Sequence, residues 1–502
     1  MPVRHAAPFV LASLLATGAS AQSTLTVTST ADSGPGTLRQ ALLDAASAFG
    51  ADIEFAIPGE GVKTIAIESP LVVPALTNVD GSTQPGADCN EWPPTLLVEI
   101  DGSGLPPATD AIHVVGDDAV VRGLVVNDAT GDGIRVGEHG YFWLSCSFVG
   151  TDPTGGLDHG NAGHGVHLVG SSFALIGGFS TSDRNLVSGN AGGGIEIDAT
   201  AATNAIWGNY VGTTADGLSA LANGHGIGVA GPANSLGGPT AEASNLIAGN
   251  TLSGIELGSA TASENEVFGN VIGENAAGAE LGNGGAGVKI EAGAGANLIG
   301  VVGAGNRIAW NQGGGVTVAG ATTLGNAIGG NSMEGNTSIG IDLLGTAGES
   351  PNDPGDPDAG PNRLQNTPVL SAVSFALATN TLTVTYDVDT APANAAYPLN
   401  VDFYRADAGG EEGVEYLATA IFTEESYGAG GVEAALDALG SIQVGQSVVA
   451  TATDAAGNTS EFCADAAIVT APEAAGGALA ALAALAVLAG RRREERTSPD
   501  AI

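Results

Sequence analysis

Short apolar stretches fenced by asparagine and glycine recur through the middle of the chain. They read NLVSGNAGGGIEI from 185, NAIWGN from 204, NLIAGNTLSGIEL from 245, NEVFGN from 265 and NRIAWNQGGGVTV from 306. The first asparagines of the N-x-[apolar]-x-x-N units fall at 185, 204, 245, 265, 306 and 326, with gaps of 19, 41, 20, 41 and 20 residues. The spacing predicts a unit of about twenty residues, every third one degenerate, and a fixed period of this kind marks a solenoid. Glycine interrupts the units too often for helical repeats. The stretches IEI, IGV, IEL, VKI, VTV and IDL alternate in-out-in and are rich in Ile and Val, as very short strands of a right-handed parallel β-helix would be.

In such a stack, glycine and asparagine suit the sharp bends between strands. Equivalent asparagines in successive coils, one strand spacing apart, are expected to bond amide to amide in a ladder. Glycines before the short strand, at 133, 165, 194, 226, 254, 287, 315 and 340, extend the solenoid over residues 97–345. Loops at 213–222 and 274–282 project at one recurrent position, where solenoids place binding surfaces.

The flanks differ. Within 22–96, Thr37 and Gln40 form a capping box for a helix over 38–46, whose Leu38, Ala41, Leu42 and Ala45 make an apolar stripe. This segment is expected to cap the solenoid's open edge. Residues 346–363 form a linker rich in Asp, Pro and Gly. From 364 to 470 longer period-two strands (TLTVTYDV, LNVDFYRA, EYLATAIF, QSVVATATD) predict an antiparallel β-sandwich of immunoglobulin or fibronectin type.

Composition sharpens the picture. Aromatic residues are 5%, there are 78 glycines, and the formal net charge is −40, which disfavours nucleic acid and anionic lipid as partners. Cys89, Cys146 and Cys463 allow at most one disulfide and have no metal-site spacing. Residues 1–21 read as an export signal ending in Ala19-Ser20-Ala21. Residues 471–502 carry an uncharged run ahead of Arg491, Arg492 and Arg493, and read as a hydrophobic sorting tail or a retained transmembrane anchor.

The run TVTSTADSGPGTLRQAL, then DGSTQPG, the N-x-I-x-G-N coils, NDPGDPDAGPNRLQNTPVL and VVATATDAAGNTSEF together resemble exported bacterial right-handed parallel β-helix repeat proteins over nearly the whole mature chain. The opening resembles a CSLREA-type segment, with TLRQAL lacking the cysteine, and the tail resembles PEP-CTERM sorting tails of Gram-negative bacteria, with Pro472-Glu473-Ala474 lacking the second proline. The resemblance implies export to the cell surface, outer membrane or exterior, with membrane contact only through the tail. It carries no catalytic residues across.

Three constellations bear on chemistry. Asp128 and Asp132 with Arg135 supply calcium ligands and a base, as a polysaccharide lyase needs. Asp117 and Asp118, with the triplets Gly163-His164-Gly165 and Gly224-His225-Gly226, resemble parts of inverting glycosidases. In the repeat register, however, His164 and His225 share a turn position with Gly193, Ser253 and Ala286, the pattern of a solvated turn. In the linker, Asp353, Asp356 and Asp358 offer hard oxygens suited to Ca²⁺, the one cofactor expected, the alternative being an acidic hinge. These readings lead to the expectation of a non-enzymatic, adhesin-like or structural surface protein that contacts extracellular polysaccharide or a surface protein. The alternative is a polysaccharide lyase or glycoside hydrolase of the same fold.

Overall fold

Every apolar stretch of the repeat becomes a strand, and every strand pairs in parallel with its counterpart one coil away. The computed structural model describes residues 23–471 apart from 138–139, 346–347 and 464–466. Three parallel sheets wrap one core. Sheet I has 11 strands from Ser23–Val27 to Ala327–Ile328, sheet II has 10 from Lys63–Ala66 to Ser332–Glu334, and sheet III has 10 from Leu71–Val73 to Ile341–Asp342. The chain visits I, II and III in turn, giving the right-handed solenoid. In sheet III the outer residues of each triplet are buried and the middle one points outward, as in Ile134-Arg135-Val136 and Val166-His167-Leu168. Burying two branched side chains per triplet contributes about 3–6 kcal/mol, before the entropy of ordering is subtracted.

A ladder of asparagines runs up each of the three corners. At the I–II corner Asn185, Asn209, Asn245, Asn270, Asn306 and Asn331 each pass a side-chain amide hydrogen bond to the next, at 2.9–3.1 Å. At the II–III corner the series is Asn161, Asn190, Asn223, Asn250, Asn283, Asn311 and Asn336. At the III–I corner it is Asn204, Asn234, Asn265, Asn297 and Asn326. The coil is therefore not the twenty-residue unit that the spacing predicts. Successive I–II asparagines lie 24, 36, 25, 36 and 25 residues apart, so short coils alternate with long ones carrying loops. The same N-x-[apolar]-x-x-N string brackets a sheet II strand at 185–190 and a sheet I strand at 204–209, which divides one coil into apparent repeats.

The bends take positive φ at glycines such as Gly189, Gly208 and Gly249, as expected, but not at the corner asparagines of the coils. Positive φ falls on the residue before the III–I asparagine, at Tyr141 or Phe173 in coils without it and at Thr203, Ala233, Glu264 and Ala296 in coils with it. The asparagines are there for their amides. The glycine before each sheet III strand is there for space. A Cβ at Gly165 would lie 2.6 Å from Val187 Cγ1 and 2.7 Å from Asn190 Nδ2.

Parallel pairing begins at Ser23–Val27 with Ala51–Phe55, so the segment 22–96 itself contributes coils. The helix spans Leu38–Ala48 and buries the four residues of its stripe. Only half of the capping box forms: Thr37 accepts from the Gln40 amide, while the Gln40 side chain turns to Asp44. Cys89 and Cys146 form a disulfide, and Cys463 is a buried thiol. The expected export signal at 1–21 and the expected sorting tail beyond Ala471 lie outside the described residues. Among the described residues no helix is long and apolar enough to cross a membrane.

The C-terminal module packs a three-stranded antiparallel sheet against a four-stranded one around Tyr386, Phe403 and Phe422. It covers the last coil. Asn362 continues the III–I ladder as acceptor for the Asn326 amide, and Glu412 receives the Asn336 side chain at 2.7 Å. Asn458 accepts from Gly325 N–H, and Thr459 accepts from Ile328 N–H.

Burial raises the Glu412 carboxyl from 4.5 to about 7, although the Asn336 bonds favour its charged form. Between those values the folded chain holds a proton that the unfolded chain has released, so stability falls as pH rises through the window. Glu412→Gln keeps the bond from Asn336 without the charge. Denaturant melts should show it more stable than the parent above pH 7, by on the order of 1–3 kcal/mol, with the difference vanishing below about pH 4.5.

Candidate active site on sheet III

Stacking in register turns the outward positions of sheet III into columns. The middle residues of adjacent strands run His113, Arg135, His167, Glu196 and Gly228, paired directly across the sheet. Three residues ahead, at the II–III corner, lie Asp110, Asp132, His164, Gly193 and His225. Four of the chain's seven histidines thus share this face.

The hydrogen bonds define the proton state of each group. Asp132 is mostly buried. It accepts from the His167 ring at Nδ1 (2.8 Å) and from the His164 backbone N–H (2.7 Å). Burial opposes its charge, yet these two bonds outweigh burial and hold the carboxyl below its ordinary range. With Asp132 ionised, His167 Nδ1 is the donor, so in the neutral ring the lone pair is on Nε2. His164 Nδ1 accepts from Gly193 N–H at 2.9 Å, which places the ring proton on Nε2. Burial pushes the His164 imidazole below the usual histidine range and keeps it neutral. The His164 and His167 rings are 5.0 Å apart between centroids. One coil further, His225 Nε2 bonds Glu196 at 2.9 Å, and the His225 ring centroid is 6.2 Å from that of His164.

Two groups have the geometry to hold a metal ion, Asp132–His164–His167 and His164–Glu196–His225, with donor atoms in each within 4.8 Å of one another. A carboxylate bonded to one ring nitrogen is how proteins orient histidines toward metals, and also how they orient a general base.

These positions were expected to be solvated turns on a chain without enzymatic activity. The geometry overturns both expectations. His164 is packed between Asp132 and Gly193, and five ionisable side chains from four successive coils converge in one network. Comparison column by column hides this, because the contacts run diagonally from the corner residue of one coil to the strand residue of the next. Asp132 and Arg135 belong to the face. Asp128 does not join Asp132; it pairs with the exposed His159. Asp117 accepts from Gly140 N–H and Asp118 takes positive φ, both at the III–I corner, a different edge from the two glycine–histidine–glycine triplets.

Asp353, Asp356 and Asp358 do come together, with oxygens within 4.8 Å. Asp356 is 5% exposed, and its Oδ2 accepts from Gln365, Thr390 and the Asn366 N–H. Burial, with Asp358 and Asp353 adding to it, raises its carboxyl to about 6. The Oδ1 atoms of Asp353 and Asp356 are buried and accept no hydrogen bond. Asn352 and Asn362 are engaged elsewhere, on Thr367 and on the Asn326 rung. The segment is stapled to the sandwich rather than free as a hinge.

No protein-family model matches the chain, and no curated protein does. Among solved structures, the A-module of Azotobacter vinelandii mannuronan C-5 epimerase AlgE4 is 14% identical, with 63% of this chain and 90% of that chain covered and a TM-score of 0.38. Dettilon tailspike protein gp208 is 13% identical over 83% of this chain and 94% of that chain, with a TM-score of 0.28. The periplasmic alginate epimerase AlgG is 14% identical over 56% and 61%, with a TM-score of 0.26. At these values the likeness carries no argument about activity.

Proposed function

We propose that the sheet III face is the active site of an exported polysaccharide-processing enzyme that cleaves uronate-containing chains by elimination. The observation that carries this reading is the Asp132–His167–His164 constellation, a base and a neutral donor side by side on an open lateral face. His167 Nε2 takes the proton from the carbon next to the sugar carboxylate. Arg135, paired beside His167 in the sheet, meets that carboxylate, and His164 Nε2–H donates to its oxygen as negative charge develops. The glycosidic C–O bond then breaks, a C=C bond forms, and protonated His167 returns its proton to the leaving oxygen. Hydrolysis is supported less well. It needs a carboxyl held protonated as acid, whereas Asp132 is held ionised and Glu196 is bound to His225. The leader sequence and the Cys89–Cys146 disulfide support export, and the CSLREA-like opening and sorting tail support a surface-associated location.

The full chain incubated with a panel of acidic polysaccharides should release unsaturated sugar ends. His167→Ala should lower that rate by about 100-fold or more with little change in melting temperature. New reducing ends without unsaturation, or no cleavage of any uronate polymer, contradicts the proposal.

The linker cluster carries a separate proposal. Ca²⁺ sits between Asp353, Asp356 and Asp358 and stiffens the junction, the support being the two partnerless buried oxygens. Adding Ca²⁺ to chelator-treated protein should raise the melting temperature by a few degrees, and Asp356→Asn should abolish the rise. An equal response in parent and variant contradicts it.

A further inference from the structure

Sheet II carries an unusual cation. Nine of the chain's 14 lysines and arginines lie between the leader and the tail, against 54 acidic residues in all. Arg39, Lys289, Arg307 and Arg405 each pair with a carboxylate. Arg184 does not. It is 8% exposed, yet among the described residues no carboxylate approaches it. Its Nε donates to the Gly208 carbonyl at 3.0 Å, and its two terminal nitrogens have no protein acceptor there. The guanidinium is held in place by aromatic faces, 4.3 Å from the Tyr210 ring centroid and 5.3 Å from that of Trp92. Trp92 is fixed in turn by its indole N–H on the Ala215 carbonyl at 2.8 Å, three residues from the Cys89–Cys146 bridge.

This guanidinium lines a cavity of about 400 Å³, within the range of small-ligand sites. One wall is the projecting loop with Glu274, Asn275 and Ala276, which is tied to the loop of the preceding coil by Ala276 N–H on the Gly217 carbonyl. Leu246 and Val271 give it an apolar floor, and Arg307, neutralised by Glu274 at 2.5 Å, stands across from Arg184. A buried guanidinium in an acidic protein is costly without an anion, and its free donors suit a bidentate carboxylate.

We infer that Arg184 anchors an anion subsite on sheet II that takes the carboxylate of an acidic sugar unit, whose ring packs on the floor beside Tyr210. The anion site stands on Arg184 alone. That the anion belongs to a uronate rests on the elimination reading. A sulfate ester presents the same charge and similar oxygens, and the test separates the two.

The full chain is titrated calorimetrically with short oligogalacturonates, with their carboxyl-reduced neutral counterparts and with a sulfated oligosaccharide. The inference expects the oligogalacturonate to bind about tenfold or more tightly than the reduced form and than the sulfated one. Arg184→Met, which preserves packing between the rings, should cut that advantage about tenfold, leaving only what Arg135 on sheet III contributes. Arg184→Lys, the check against misfolding of the methionine variant, should retain part of it. His167→Ala should keep the binding, so a failed elimination assay leaves this result standing. Equal affinity for charged and reduced oligomers, unchanged affinity in both Arg184 variants, or preference for the sulfated ligand overturns the inference.

Discussion

The constraint on which the rest depends is the buried asparagine amide. Each ladder residue has two donors and an acceptor, and its corner offers partners mainly in the coil below and the coil above, with a carbonyl two residues back as the local supplement at Asn190, Asn209 and Asn250. Asn223 shows the arrangement. It donates to Asn250 and to the Val187 carbonyl, and its oxygen accepts both the backbone and the side-chain N–H of Asn190. A slip of one residue would leave all of these unpaired, each at about 1–3 kcal/mol, so the stack holds one register. Two residues extend that rule to the C-terminal end of the stack. Asn362 and Glu412 supply the acceptors that the topmost asparagines lack, which explains why the sandwich sits where it does.

Fixed register has a chemical consequence. Residues about thirty apart in sequence lie one strand spacing apart, with no loop needed to bring them together. The contact of Asp132 with His167 and that of His164 with Gly193 both cross one coil boundary. The proposed base His167, its orienting carboxylate Asp132 and the neutral donor His164 therefore rest on two adjacent rungs of one sheet, the kind of support that precise acid–base geometry requires. The same rule sets a projecting loop beside Arg184 on the neighbouring face, where the guanidinium rests on a carbonyl and two aromatic rings with no ion-pair partner among the described residues.

Much of the fold was legible in the sequence. The triplets IEI, IEL and VKI announce strands with one outward residue, and the period-two runs after residue 364 announce the sandwich. The coil length was not, because one asparagine string serves two different corners. Asn185 and Asn245 share one ladder and Asn204 and Asn265 another, so the apparent period mixes them. The site was hidden by the same error. In a thirty-residue register Asp132, His164 and His225 fall at one corner with Arg135, His167 and Glu196 beside them, and the cluster can be read off. Arg184 carried a weaker signal, visible only as a rare cation in an acidic chain.

Stacked coils hold the sheet III histidines in one hydrogen-bonding arrangement, and with it their ring protons. Nitrogen-15 spectra of the histidine rings in the full chain test this most directly. The account predicts that near neutral pH His164 is neutral with its proton on Nε2, that His167 carries its proton on Nδ1, and that Asp132→Asn disturbs both. A His164 ring protonated at Nδ1, or both rings exchanging freely between tautomers as in an exposed turn, would contradict it.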